Sequence, residues 1–120
     1  MNRTIDSLYQ SFPDMLPHYC IECDDGWADI LYNMLAKLKE LDIGFSALQI
    51  KEKFATLRVY YRYDDSKEYP DDIGEKLKNI INEAEKASGE TCEICGKPGC
   101  LRERFGWITT LCDDHFKEIK

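Results

Sequence analysis

The chain has 120 residues, of which 43% are hydrophobic and 32% charged, a composition typical of one soluble globular domain. Its formal net charge of −7 disfavours general binding to nucleic-acid phosphates. No stretch approaches the ~18 apolar residues of a membrane span, and residues 1–6 (MNRTID) lack the apolar core of a signal peptide. The expected compartment is therefore the cytoplasm, where thiols stay reduced and paired cysteines among the six present indicate a metal site.

Residues 1–20 are predicted to form a loosely ordered lead-in. Pro13 and Pro17 exclude a long helix there, because proline removes a backbone donor and clashes with the preceding turn. Four apolar residues of the lead-in are expected to lie against the core: Ile5, Leu8, Phe12 and Leu16.

A helix is predicted from Trp27 to Leu41, where apolar residues recur at helical spacing along one face. Asp24 and Asp25 precede it as acceptors for the free N–H groups of its first turn. Residues 42–44 (DIG) are predicted to end the helix.

Residues 47–63 change to a period of two, which predicts two strands joined near residues 54–56 as a β-hairpin. Leu48, Ile50 and Phe54 are expected on the apolar face of the first strand. The apolar face of the second strand is expected to comprise Leu57, Val59, Tyr61 and Tyr63.

A second amphipathic helix is predicted after the polar loop of residues 64–70. Asp71 and Asp72 open it, because acidic side chains stabilise the free N–H groups of a first turn, and residues 88–89 close it. Its apolar face is expected to comprise Ile73, Leu77, Ile80, Ile81 and Ala84.

The strongest motif lies in the C-terminal segment. Residues 92–96 (CEICG) have the spacing of a zinc knuckle, in which glycine permits the tight turn that aims backbone N–H groups at the thiolates. Residues 112–115 (CDDH) supply a second ligand pair at the start of a helix, after a hairpin predicted over residues 102–110. Four such ligands leave no open position and define one structural Zn²⁺ site in a treble-clef-like module. The predicted ligands are Cys92, Cys95, Cys112 and His115.

The other cysteines leave alternatives open. Cys20 and Cys23 also have metal spacing and His18 lies nearby, but no matching pair follows them. The alternative is that both thiols fill space beside Trp27. Cys100 has poor spacing for a knuckle and is expected to be a half-buried free thiol.

Residues 110–115 (TLCDDH) also resemble the end of the ββα-metal nucleases, which share this zinc scaffold. Those enzymes need a further histidine to activate water and ligands for a catalytic divalent ion. The chain has two histidines, and with His115 assigned to zinc only His18 remains, in the proline-flanked lead-in. Catalysis is therefore not expected, and a degenerate nuclease-like enzyme is the third hypothesis.

The polar face of the predicted hairpin concentrates positive charge, with the polar residues of one strand opposite those of the other. Five of its side chains are candidates for binding a partner or an anion: Lys51, Lys53, Arg58, Tyr60 and Arg62. Such a face could hold a nucleotide, a phosphate or an acidic protein surface. The alternative is a solvated face whose cations pair with Glu52 and residues 64–65. The next candidate surface surrounds Arg102, Arg104 and Trp107.

Three segments together resemble a family of uncharacterised small bacterial and phage proteins. They are residues 22–27 (ECDDGW), residues 49–60 (QIKEKFATLRVY) and the zinc segment of residues 92–115, and in their order and spacing they span about four fifths of the chain. Ala55 stands where the family usually has glycine, and Asp24 stands where glycine is common. The resemblance supports the architecture and implies no activity.

Together these features predict an α+β fold, with a helix–β-hairpin–helix core over residues 1–90 and the zinc module of residues 91–120 packed on it. The expected function is a non-enzymatic zinc-binding protein that recognises a partner protein, as a phage or mobile-element factor acting on its host. The alternative is a small-ligand binder that holds a nucleotide or phosphate anion on the hairpin face. Nucleic acid and membranes are not expected partners.

Overall fold

The computed structural model describes residues 3–17 and 19–118. This part of the chain has a mixed α+β fold with four α-helices and two β-sheets. In chain order the helices and strands are α1 (Ile5–Ser11), β1 (Ile21–Glu22), α2 (Ala28–Glu40), β2 (Ser46–Lys53), β3 (Thr56–Arg62), α3 (Ile73–Ser88), β4 (Cys100–Arg104), β5 (Trp107–Leu111) and α4 (Asp113–Glu118). Among the helices of the described ranges, none combines the length and apolar content that a membrane crossing requires.

The larger sheet has the order β1-β2-β3, with β1 parallel to β2 and β2 antiparallel to β3. The predicted hairpin is therefore confirmed, and the two residues Phe54 and Ala55 close it between the paired Lys53 and Thr56. Both closing residues have positive φ, 53° and 71°, as a type I′ turn requires. Tyr63 follows the end of β3 and is exposed, so the predicted alternation stops before it.

The main core lies where the helices pack against the larger sheet. Trp27 is completely buried in it, and α2 and α3 contact each other. The buried face of α2 agrees with the predicted periodicity: Ala28, Leu31, Met34, Leu35 and Leu38. The buried residues of α3 include three of the five predicted, Leu77, Ile81 and Ala84, and the other two are partly buried against the same core.

The lead-in is more ordered than predicted. It contains α1, whose N-terminus is capped by the Thr4 hydroxyl. The Asp25 carboxylate accepts the N–H of Ile5 at 2.8 Å, so it binds the start of α1 and not the start of α2. The capping role predicted for Asp24 and Asp25 at α2 is therefore wrong, because neither side chain bonds to its first turn. The four predicted apolar contacts of the lead-in are buried: Ile5, Leu8, Phe12 and Leu16.

Two apolar residues of the β2–β3 hairpin lie outside the core, contrary to prediction. Leu48 is 53% exposed, since the register shifts between Ala47 and Gln49 and makes Leu48 the extra residue of a β-bulge. Ala47 and Ile50 take the buried positions on this strand. Phe54 is 65% exposed because it lies in the turn and not in a strand.

Replacing Ala55 with glycine should stabilise the protein. An L-residue at a φ of 71° is strained by contact between its Cβ and the backbone, whereas glycine adopts this region freely. We expect Ala55→Gly to raise the free energy of unfolding by about 1 kcal/mol in urea denaturation. Ala36→Gly makes the same chemical change inside α2 and should lower it by about 1 kcal/mol. A loss of stability in both variants would show that the turn stores no strain.

Candidate metal centre and acidic cleft

The C-terminal segment consists of a knuckle, a hairpin and a short helix. Gly96 has a φ of 82° and donates its N–H to the Cys92 carbonyl at 2.9 Å, which is the tight turn predicted for the knuckle. The Cys92 N–H donates to the Lys97 carbonyl at 2.8 Å and closes the loop. Strands β4 and β5 pair antiparallel as predicted, and α4 begins directly after Cys112.

The structure brings the four predicted ligands together, with all their donor atoms within 4.8 Å of one another: Cys92, Cys95, Cys112 and His115. The Nδ1 atom of His115 lies 3.3 Å from the Cys112 sulfur and 3.6 Å from the Cys92 sulfur. The sulfurs of Cys95 and Cys112 are 3.7 Å apart. A tetrahedral zinc ion with its usual bond lengths separates two sulfur ligands by about 3.8 Å and a sulfur from a nitrogen by about 3.6 Å. The four residues are therefore positioned to coordinate a metal ion.

Backbone N–H groups favour the thiolate form of two of these cysteines. The N–H of His115 lowers the pKa of the Cys112 thiol. Burial acts to raise the pKa of Cys92, but N–H groups that include those of Cys112 and Cys95 outweigh it, so the pKa is lowered. Thiolates are the form of cysteine that binds metals.

The knuckle packs directly against Gly26 and Trp27 of the core. The Gly26 N–H donates to the Glu93 carbonyl at 2.7 Å, and the Trp27 indole N–H donates to the Thr91 carbonyl at 2.9 Å. A Cβ atom on Gly26 would lie 2.2 Å from the Cys92 carbonyl oxygen, so the approach requires glycine. The sequence did not predict this role of Gly26 and Trp27, which bring the candidate metal ligands to the core.

The turn of the β2–β3 hairpin contacts the same module. The Thr110 hydroxyl donates to the Ala55 carbonyl at 2.6 Å, and the Thr110 carbonyl accepts the N–H of Glu93 at 3.0 Å. The Ala55 N–H donates to the Glu52 carboxylate at 2.8 Å and holds the turn. Because Glu93 also binds Gly26, one chain of hydrogen bonds joins the three segments on which the family resemblance rests.

A cleft of about 750 Å³ opens between the C-terminal hairpin and the core, and we call it the acidic cleft. Alternate residues of β5 line it: Trp107, Thr109 and Leu111. The lining also contains four carboxylates, from Asp24, Glu52, Glu93 and Glu103. Arg102 supplies a guanidinium to the lining. The charge of the lining is therefore predominantly negative.

Among the described residues that line the acidic cleft, the one cation, Arg102, is already engaged. The Arg102 guanidinium forms an ion pair with Asp113 and lies 4.9 Å from the centre of the Phe116 ring. In contrast to Arg102, two aromatic residues of the lining are largely uncovered: the Trp107 side chain is 72% exposed and that of Phe105 is 98% exposed. The cleft therefore presents negative charge next to uncovered aromatic rings.

The surroundings of Glu93 disfavour its charged form. Burial, assisted by the nearby carboxylates of Asp24 and Glu52, raises the pKa of Glu93 to about 7. Burial, together with Glu93 and the neighbouring acidic residues, also raises the pKa of the Cys23 thiol. Cys23 is therefore kept as a neutral thiol.

The remaining cysteines lie apart from the candidate metal centre. Cys20 and Cys23 pack in the main core with Trp27, which agrees with the space-filling alternative. Within residues 3–17 and 19–118 they belong to no group of three or more potential metal ligands. His18, which the second-site and nuclease hypotheses need, lies outside the described residues. Cys100 is exposed on β4, so the prediction of a half-buried thiol is wrong.

The predicted basic face is present on the β2–β3 hairpin, where Lys51 pairs across the strands with Arg58 and Gln49 pairs with Tyr60. No described carboxylate forms an ion pair with any of its four cations, Lys51, Lys53, Arg58 and Arg62. Glu52, which the solvated-face alternative pairs with these cations, binds the Ala55 N–H instead. Of the other candidate surface, Arg102 and Trp107 line the acidic cleft, while the Arg104 side chain lies outside the described part of the chain.

Comparison of this chain with protein-family models, curated proteins and solved structures gave no match. Membership of the family of small bacterial and phage proteins therefore stays a prediction.

Proposed function

We propose that this protein is a zinc-stabilised binding protein. One structural Zn²⁺ is held in a treble-clef-like module, and the protein recognises a partner protein without catalysing a reaction. The observation that carries the proposal is the donor set of three cysteines and one histidine at tetrahedral separations. Such a set fills the zinc coordination sphere and leaves no position for water or substrate.

The composition of the module's small core supports a structural role for the zinc. Among the described residues, its buried cluster comprises Cys92, Leu111 and Cys112, with Cys95 and Phe116 packed against it. Three of these five residues are proposed ligands. Apolar burial on this scale does not offset the entropy of ordering a hairpin and a helix, so the metal has to supply the difference.

The exposed aromatic residues of the module support partner recognition. Phe105 is nearly fully exposed and has a φ of 55°. Positive φ costs a bulky residue about 1 kcal/mol or more, and an uncovered ring gains no hydrophobic stabilisation in the isolated chain. Trp107 shares this exposure on the other side of the turn. Uncovered aromatic groups of this kind are typical of contact surfaces.

The second candidate function is anion binding on the β2–β3 face, by Lys51, Lys53, Arg58, Tyr60 and Arg62. The observation that favours it is the absence of ion pairs to the four cations within the described residues. ATP is a suitable nucleotide probe. Binding of ATP that Arg58→Glu abolishes, without a change in melting temperature, would favour this candidate.

Elemental analysis tests the zinc centre. Protein purified without chelator should contain one zinc ion per chain. Cys95→Ser removes a ligand and should lower the zinc content well below one. Cys100→Ser removes an exposed thiol outside the ligand group and should leave it unchanged. A content near two would contradict the single site, and a content near zero in the parent chain would contradict the proposed function.

A further inference from the structure

We infer that the acidic cleft binds a basic segment of the partner protein, with an apolar side chain against Trp107 and lysine or arginine side chains beside the carboxylates. This inference rests on the proposed function, because it assigns the partner-binding surface and the chemistry of what it recognises. It places recognition at the zinc module and not on the basic face of the β2–β3 hairpin.

The apolar part of the surface is exposed and firmly held. Trp107 lies on β5, which is paired along its length with β4. The neighbouring wall residue Thr109 lies next to Thr110, whose hydroxyl is bonded to the β2–β3 turn. A rigid aromatic group loses little conformational entropy when it is covered, which makes it an efficient anchor.

The size of the acidic cleft favours a short segment as its occupant. Its volume of about 750 Å³ lies within the usual range of ligand sites and holds a few side chains. The cleft is bounded on one side by the β4–β5 hairpin and on the other by Asp24, which follows β1, and Glu52 of β2. An extended segment can insert side chains between these walls.

The negative charge of the acidic cleft favours an occupant with positive charge. Asp24 and Glu103 are exposed, and within the described residues neither carboxylate forms an ion pair with a cation. Arg102 is engaged by Asp113, so it does not offset them. The chain as a whole carries −7, which also attracts cationic and repels anionic partners. Positive side chains are therefore the complement of this surface.

The test uses a short, end-capped peptide of alternating lysine and leucine as the probe. Two control peptides replace every lysine with glutamate or every leucine with serine. The lysine–leucine peptide should bind and shift the tryptophan emission to shorter wavelength, because Trp107 is exposed while Trp27 is fully buried. Both control peptides should bind at least about tenfold more weakly, and the affinity should fall as salt is added.

Substitutions locate the binding site by calorimetry. Trp107→Ala should weaken binding of the lysine–leucine peptide about tenfold, and so should the double variant Asp24→Asn with Glu103→Gln. The matched controls are Leu48→Ala, an exposed apolar residue on β2, and Glu75→Gln, an exposed carboxylate on α3. Both controls should bind as the parent does. Every variant should keep one zinc ion per chain, which shows that the module is folded.

Several results would overturn the inference. These are equal binding of the glutamate peptide, unchanged binding by Trp107→Ala, and no peptide binding by a chain that carries its zinc. A second copy of the chain is the other occupant to test, by light scattering. Self-association that Trp107→Ala abolishes would assign the surface to a second copy and overturn the inference. Loss of zinc from the parent chain would instead contradict the proposed function.

Discussion

Removal of the proposed zinc ion should unfold the C-terminal module while α1, α2, α3 and the larger sheet stay folded. The described part of the module buries few apolar residues apart from its proposed ligands, and structural zinc sites contribute about 10–16 kcal/mol of binding free energy to folding. Treatment with a strong chelator, or Cys112→Ala, should therefore abolish the protection of the Glu93 amide from hydrogen exchange. That amide is protected in the folded chain by its bond to the Thr110 carbonyl.

The core provides the internal reference for this measurement. The Ile50 amide donates to the Cys20 carbonyl in the larger sheet and should remain protected after the metal is removed. Cys100→Ala is the matched control, because it removes an exposed cysteine of the same module without removing a ligand. Protection of Glu93 in the metal-free chain would show that packing alone holds the module.

Replacing Gly26 with alanine should be among the most damaging single changes in the core. The new Cβ would lie 2.2 Å from the Cys92 carbonyl oxygen and 2.3 Å from that of Glu93. Both are backbone atoms, so neither can rotate away as the end of a flexible side chain would. The clash would also break the 2.7 Å hydrogen bond from Gly26 to Glu93. We expect Gly26→Ala to lower the free energy of unfolding by about 3 kcal/mol in urea denaturation.

Gly74→Ala is the matched control for this substitution. Gly74 lies in the first turn of α3, and a Cβ atom there would meet nothing within 4 Å. Alanine is the better helix former, so this variant should be stabilised by up to about 1 kcal/mol. Equal stability of Gly26→Ala and the parent would contradict the close approach of knuckle and core.

Helices α2 and α3, the β2–β3 hairpin and the ligand group could be predicted because each depends on short-range spacing, whereas α1 was not predicted. The repeat that buries Leu31, Leu35 and Leu38 needs only the period of a helix. The Cys-x-x-Cys and Cys-x-x-His pairs likewise direct their donor atoms within single turns of chain. These properties were determined by the sequence itself, since neighbouring residues decide them.

Only the tertiary structure decided where these elements meet. The Asp25 carboxylate binds the N–H of Ile5 at the start of α1 and not the start of α2. The local sequence pattern does not indicate which of these two helix starts the carboxylate binds. Leu48 leaves the core because a register shift with β3 turns it outward. The acidic cleft joins residues as distant in the sequence as Asp24 and Trp107. Such features depend on contacts between remote segments, whose energies no local periodicity encodes.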